Sequence, residues 1–180
     1  MYASIQVPLS IALLQRIDAL FRTEAQARTT EIRSKNLEDI SYHLMVKAMT
    51  APPGSTALEF LPIMERTAAF GAEEWAHLAD RPDGRAVLVD NDYLKVVLIR
   101  WAPGASSNLH GHPKGGGVFK VLEGALAEAR YHTLESATPF SEHTYRRQAS
   151  SYIDDAMGLH TVGNPFSEPA VTLHAYLKYR

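Results

Sequence analysis

The chain contains no cysteine. That excludes disulfides, thiolate metal ligands and any covalent link through a cysteine sulfur. It also lacks an excess of charge: 18 Lys and Arg against 20 Asp and Glu leave a formal net charge of −2. Near-neutrality offers no electrostatic footprint for nucleic acid or an anionic membrane, so neither is expected as a partner. No apolar run approaches the roughly 20 residues of a bilayer span. Met1 to Ser10 lacks the basic start and long apolar run of a secretory leader, so a cytoplasmic location is the expectation. There is no internal repeat and no low-complexity tract. The 180 residues suffice for one domain with a sizeable core. Nothing in the composition speaks to oligomeric state.

What is present divides the chain in two. Up to Gly84 the pattern is helical. Apolar residues at Ile11, Leu14, Ile17 and Leu20 to Phe21 predict a helix from Pro8 to about Ala27. Asn36 or Asp39 can cap a second helix running to Met49, with Leu37, Ile40, Leu44 and Met45 on one face. After the break at Pro52-Pro53-Gly54-Ser55, Thr56 to Phe70 reads as a third helix and Ala72 to Leu78 as a short fourth. From Arg85 onward, runs rich in Val, Leu and Tyr alternate with Gly, Pro, Asn and Asp turns, as in an all-β barrel or sandwich. Strands are predicted at 85–89, 94–101, 106–112, 117–123, 126–133, 144–149, 152–153, 160–162 and 170–178. The expected architecture is mainly β: a small β-barrel over 85–180, with the helical segment 1–84 packed on it in one domain.

The chemistry centres on Gly104 to Gly124, GASSNLHGHPKGGGVFKVLEG. His110 and His112 flank one glycine, and residues two apart on a strand point to the same side. A second stretch, Gly158-Leu159-His160-Thr161-Val162-Gly163-Asn164, offers a third histidine. Neutral imidazoles suit iron, copper, nickel and zinc, and three of them on one face of an ion leave positions open for other ligands. The plain alternative is three polar strand residues. His43, His77, His132 and His143 read as surface or packing residues, and Trp101 as core. Thr172, His174 and Tyr176 alternate along the last predicted strand and therefore share one side.

The two histidine stretches follow the two-motif pattern of the cupins. Gly117 stands where that pattern usually has a glutamate ligand. The region from about Arg85 to Tyr176 resembles the cysteine dioxygenase type I family of the cupin superfamily. The segments that carry the resemblance are Trp101 to Gly104, Ser106 to His112, Phe119 to Gly124, Tyr152 to Asp155, Gly158 to His160, and Glu168-Pro169-Ala170-Val171-Thr172-Leu173-His174-Ala175-Tyr176. The resemblance implies a cupin jelly roll, iron(II) held by His110, His112 and His160, and oxidation of the small thiol L-cysteine to its sulfinic acid by dioxygen. It implies that Arg85 grips the substrate carboxylate through its guanidinium fork, although Asp83 stands close by as a competing partner. It also implies that Thr172, His174 and Tyr176 form a relay ending in a phenol near the metal. Glycine at 117, where animal members carry the cysteine that bonds to the tyrosine, resembles the bacterial members. After Tyr176 the chain reads Leu177-Lys178-Tyr179-Arg180, where the family usually continues Ser-Pro-Pro, so the hairpin that helps close the pocket is expected to be absent. Three alternatives stay open: the same chemistry on another thiol acid such as 3-mercaptopropionate, a non-catalytic metal-binding cupin, and a zinc site with hydrolytic or lyase chemistry.

Overall fold

A computed structural model of the chain describes residues 36–78, 81, 84–112 and 115–178. The helix expected over Pro8 to Ala27 lies outside the described residues. Within the compact unit 34–180 the described elements form three layers.

The helical layer begins with α1, Leu37–Thr50. The Asn36 side chain accepts from Asp39 N at 2.8 Å and caps it. Glu38 and Asp39 in the first turn and Lys47 in the last complement the helix dipole. The helix stops before Pro52, because the residue preceding a proline is pushed out of the α region. The stripe Leu37, Ile40, Leu44 and Met45 is buried as expected. Each such side chain contributes about 1.5–3 kcal/mol on burial.

The third predicted helix is shorter than expected. It splits into a 3₁₀ turn, Ala57–Phe60, and α2, Leu61–Arg66, with Pro62 in the first turn. Thr67 ends it by turning extended, its hydroxyl donating to the Ile63 carbonyl at 2.8 Å. The fourth is not an α-helix but two 3₁₀ turns, Ala72–Glu74 and Ala76–Leu78.

Eight strands follow among the described residues: β1 Arg85–Asp90, β2 Leu94–Trp101, β3 Gly117–Glu123, β4 Ala125–Tyr131, β5 Ser141–Arg146, β6 Ser150–Ile153, β7 Leu159–Gly163 and β8 Ala170–Leu177. One sheet has the order β1-β2-β8-β3-β6 and the other β5-β4-β7. Alternation in the central strands builds two cores. Leu94, Val96, Leu98, Val118, Leu122, Leu173 and Ala175 pack against the helices. Val97, Ile99, Trp101, Phe119 and Val121 face Leu126 and Val162 of the other sheet. The expected mainly-β barrel is present.

One predicted strand is absent. The segment 106–112 forms only isolated bridges to β7, Ser106 with Gly163 and His110 with His160. Four steps along this segment therefore match three along β7, which is a bulge. At the irregular point the Ser107 hydroxyl takes the place of a carbonyl and accepts from Val162 N at 3.0 Å.

Candidate metal centre and its pocket

His160 sits on β7 with its side chain turned inward, and the bridge through His110 lays the H-x-H segment beside it. His110 N donates to the His160 carbonyl at 3.0 Å, and His160 N donates back to the His110 carbonyl at 2.8 Å. One nitrogen from each of His110, His112 and His160 lies within 4.8 Å of the others, so the three could hold a metal ion.

The hydrogen bonds on the far side of the rings test that fit. His160 Nδ1 lies 2.7 Å from Glu128 Oε1. Burial pushes the Glu128 carboxyl up, but the His160 hydrogen bond and the Arg130 charge outweigh it and hold the group below its ordinary value. An ionised carboxylate only accepts, so His160 Nδ1 carries the proton. His110 Nδ1 lies 2.8 Å from the Asn108 carbonyl and must donate as well. Both rings therefore turn a bare Nε2 inward. These two atoms stand 3.2 Å apart, and His112 Nε2 stands 2.9 Å from that of His160. Facing lone pairs at that distance repel unless a cation or proton lies between them. Three imidazole nitrogens about 2.1 Å from one ion at right angles would be about 3.0 Å apart, close to the 3.2 and 2.9 Å that His160 Nε2 keeps from the other two, so the donor set suits a divalent ion. His112 is held neutral, its pKa lowered to about 4 by burial and then by the fields of His160 and His110.

The opposite wall is β8. Register sets Thr172 across from Ile99 and Val121, His174 across from Val97 and Phe119, and Tyr176 across from Gly117. Thr172 Oγ1 lies 2.8 Å from His174 Nε2, and His174 Nδ1 lies 3.3 Å from the Tyr176 hydroxyl. Trp101 Nε1 donates to Thr172 Oγ1 at 2.8 Å. An indole N–H can only donate. The fully buried Thr172 hydroxyl has His174 Nε2 as the acceptor for its own hydrogen. His174 therefore carries its proton on Nδ1 and donates to the Tyr176 oxygen. The phenolic hydrogen is left to point into the pocket. Burial first, and then the neighbouring histidines and Arg85, lower the His174 pKa to about 3. Burial pushes the Tyr176 phenol up to about 12, against a smaller opposing effect of the Arg85 charge.

Gly117 explains how the phenol ring fits. A Cβ there would lie 2.8 Å from the Tyr176 ring and 3.2 Å from His112 Nδ1. The bare glycine lets the tyrosine stack on His112, with centroids 5.6 Å apart and planes 15° from parallel. Positive φ angles belong to Gly115 and Gly116; Gly117 is not among the positive-φ glycines and opens β3. The turn before β3 is therefore made by Gly115 and Gly116 alone.

Arg85 opens β1 and lines the same cavity as the three histidines, His174 and Tyr176. Gly84 delivers it. Its φ of +60° and the Arg100 carbonyl, 2.6 Å from a would-be Cβ, leave no room for a side chain at the turn. Asp83, the competing partner, lies outside the described residues. The cavity measures about 160 Å³, and its other walls are Ile99, Trp101, Val118, Phe119, Ile153 and Val162. A larger, open groove of about 590 Å³ runs along Ala105, Ala127, Ala129 and Thr161. It contains none of the converging imidazoles, so the smaller cavity is the candidate site.

All seven sequence-derived site residues thus line this cavity or join its hydrogen bonds. His77, His132 and His143 are exposed and His43 is half-buried, none of them in the histidine cluster. Sequence reasoning missed Glu128 behind His160 and the donor role of Trp101. The signal for Glu128 was parity: Leu126, Glu128 and Arg130 share the inward side of β4.

Over residues 58–178 the chain matches the family described as cysteine dioxygenase type I. It is 34% identical over 112 residues to cysteine dioxygenase type 1 of Rattus norvegicus, covering 57% of this chain and 56% of that protein. It is 33% identical over 112 residues to the Homo sapiens protein, with the same coverage. The chain spans about half the length of the curated relatives it matches. A Bacillus halodurans protein of known structure superposes with a TM-score of 0.50 at 19% identity, over 58% of this chain and 76% of that one, a likeness of fold alone. The two-sheet barrel is a cupin fold. The family match takes in both sheets, the three histidines and the whole of β8; the chain belongs to the cysteine dioxygenase type I family.

Proposed function

We propose that the protein is a mononuclear iron(II) thiol dioxygenase that converts L-cysteine to cysteine sulfinic acid. The observation that carries this reading is the convergence of three imidazoles, two of them with a bare Nε2 turned inward, one arginine and one phenol on a single small cavity. Iron(II) held by His110, His112 and His160 would supply a centre at which thiolate and dioxygen meet. The reaction balances without an external reductant: thiolate plus dioxygen gives sulfinate, the sulfur losing the four electrons that dioxygen gains.

The chain's own groups do the rest. Arg85 binds the carboxylate and turns the thiol toward the histidines. Ile99, Phe119, Ile153 and Val162 keep bulk water from the reacting atoms. Thr172 and His174 hold the Tyr176 oxygen, so the phenol donates its hydrogen bond to the sulfur or oxygen atom inside the cavity. A phenol raised to about 12 stays protonated across the working pH range and keeps that donor.

The test is oxygen uptake by iron(II)-loaded protein with L-cysteine, cysteamine and 3-mercaptopropionate, with sulfinate counted at the end. L-cysteine should give the highest kcat/KM and about one sulfinate per dioxygen. Preference for 3-mercaptopropionate would move the substrate to that thiol acid. No thiol-dependent uptake by the loaded protein would favour a binding role.

A further inference from the structure

The three histidines are not held alike. His110 turns its outer nitrogen to a backbone carbonyl at the exposed edge. His160 turns its outer nitrogen to a carboxylate with no solvent access. That carboxylate has many partners. Glu128 Oε2 accepts from Arg130 Nε at 3.1 Å and Nη2 at 3.0 Å, from the Tyr145 hydroxyl at 3.1 Å and from the Ser151 hydroxyl at 3.3 Å. Arg130 Nη2 is itself fixed by the Tyr152 carbonyl at 2.9 Å. The register explains the reach: Arg130 lies across from His160 and Glu128 across from Val162, so Glu128 is the diagonal neighbour of the histidine on the inward face.

A buried acid with this many partners is an expensive feature unless its position is used. Each of its oxygens has one task. Oε2 is saturated by donors from β4, β5 and β6, and Oε1 is presented to His160 Nδ1. We propose that Glu128 is a positioning residue for the metal centre: it locks His160 in the Nδ1–H tautomer and in one ring orientation, so that Nε2 always faces the other two imidazoles as a bare donor. The inference rests on the three-histidine metal reading, and Glu128 itself touches neither metal nor substrate.

The substitution E128Q separates this role from simple bracing. An amide has one accepting oxygen and one donating NH₂. The Arg130 guanidinium cannot accept a hydrogen bond, so the amide oxygen must stay on the Oε2 side. The NH₂ then faces His160 Nδ1, which can satisfy it only by losing its proton. His160 becomes the Nε2–H tautomer and turns a hydrogen toward the metal position.

The experiment uses the full chain. Iron(II) affinity is measured anaerobically by competition with a chelating dye, and the tautomer of His160 by nitrogen-15 NMR on the metal-free protein. The parent should bind iron(II) and show His160 protonated on Nδ1. E128Q should bind iron(II) roughly ten- to a hundredfold more weakly and show the Nε2–H form. Parent-like affinity with an unchanged tautomer in E128Q would overturn the proposal, even if its melting temperature fell. Should E128Q not fold, the parent spectrum decides alone, since His160 protonated on Nε2 in the metal-free parent contradicts the lock. A parent that binds no iron(II) would overturn the metal reading and this inference together. A parent that binds it while E128Q binds it equally overturns this inference only.

Discussion

The two walls of the cavity are made in opposite ways. One is β8, hydrogen-bonded on both sides by β2 and β3, with Thr172, His174 and Tyr176 in strict alternation. The other is the segment 106–112, which meets β7 only at two bridges separated by a bulge. Regular pairing fixes side-chain direction through the pleat, so β8 can aim three groups at intervals of two residues with nothing further. The irregular wall cannot rely on the pleat. Its His110 is held by a hydrogen bond at the outer nitrogen to the Asn108 carbonyl, and across the bridge His160 of β7 is held in the same way by Glu128. Relay geometry is thus a property of the sheet, and metal geometry a property of side-chain partners.

If that division is right, the largest effect comes from removing one of the histidines held by its outer nitrogen. His160→Ala should lose nearly all bound iron after desalting, because it takes away the anchored imidazole and strands Glu128 facing a void. His110→Ala should keep weak residual binding. Equal, full iron content in both variants would dissolve the contrast between the walls.

Acid stability probes β8 next. The unfolded chain takes up a proton on His174 near pH 6.5, which the folded chain refuses until about pH 3. Stability from this group is therefore complete above pH 6.5 and falls as the pH drops through that window, by about 1.4 kcal/mol per pH unit. Denaturant unfolding of the metal-free chain should show at least this slope, and His174→Leu should lower it by about that amount, leaving the share of His112. Parallel curves for the two proteins would mean the ring is not held neutral by its strand.

Arg85 belongs to neither wall, and its removal should be felt in substrate binding alone. Arg85→Gln should cost about 1.5–3 kcal/mol. That corresponds to roughly ten- to a hundredfold in kcat/KM for L-cysteine, with iron content unchanged. Unaltered preference across the three thiols would place the carboxylate anchor elsewhere. The smallest effect is expected from Trp101→Phe. It keeps the ring in the core but removes the donor that sets the direction of the Thr172-His174 hydrogen bond. One neutral hydrogen bond of about 1 kcal/mol corresponds to a roughly fivefold change in kcat. A kcat equal to the parent's would show that the polarity of the chain does not depend on the indole.

The contrast between the walls also explains what could be read in advance. The ends of β2 and β3 coincide with the sequence reading, and β8 does so within one residue, because alternation and bounding turns are local signals. The cap at Asn36 and the stripe of α1 were equally plain. The H-x-H motif indicated a shared aim for His110 and His112. The strand assumed to provide it is a bulged segment, because the Ser107 hydroxyl takes over a ladder bond. The helix expected over 56–70 stops at Thr67, where the chain turns extended and the Lys120 ammonium donates to the Met64 carbonyl at 2.8 Å. That contact spans 56 residues and has no local trace. Glu128 escaped notice for a related reason: an acid on a strand reads as solvent-facing until its arginine, tyrosine and serine partners from other strands are known.

In the proposed function the tasks are separate, the metal held by one wall and the proton presented by the other. Tyr176→Phe tests it most directly, since it deletes only the phenolic oxygen and preserves the ring stacked on His112. Iron content and sulfinate formed per dioxygen consumed would be measured together in this variant and the parent. The predicted result is parent-like iron content with a lower kcat or a lower yield of sulfinate per dioxygen. Parent-like rate and coupling in Tyr176→Phe would contradict the account and reduce Thr172, His174 and Tyr176 to one polar face of a barrel strand.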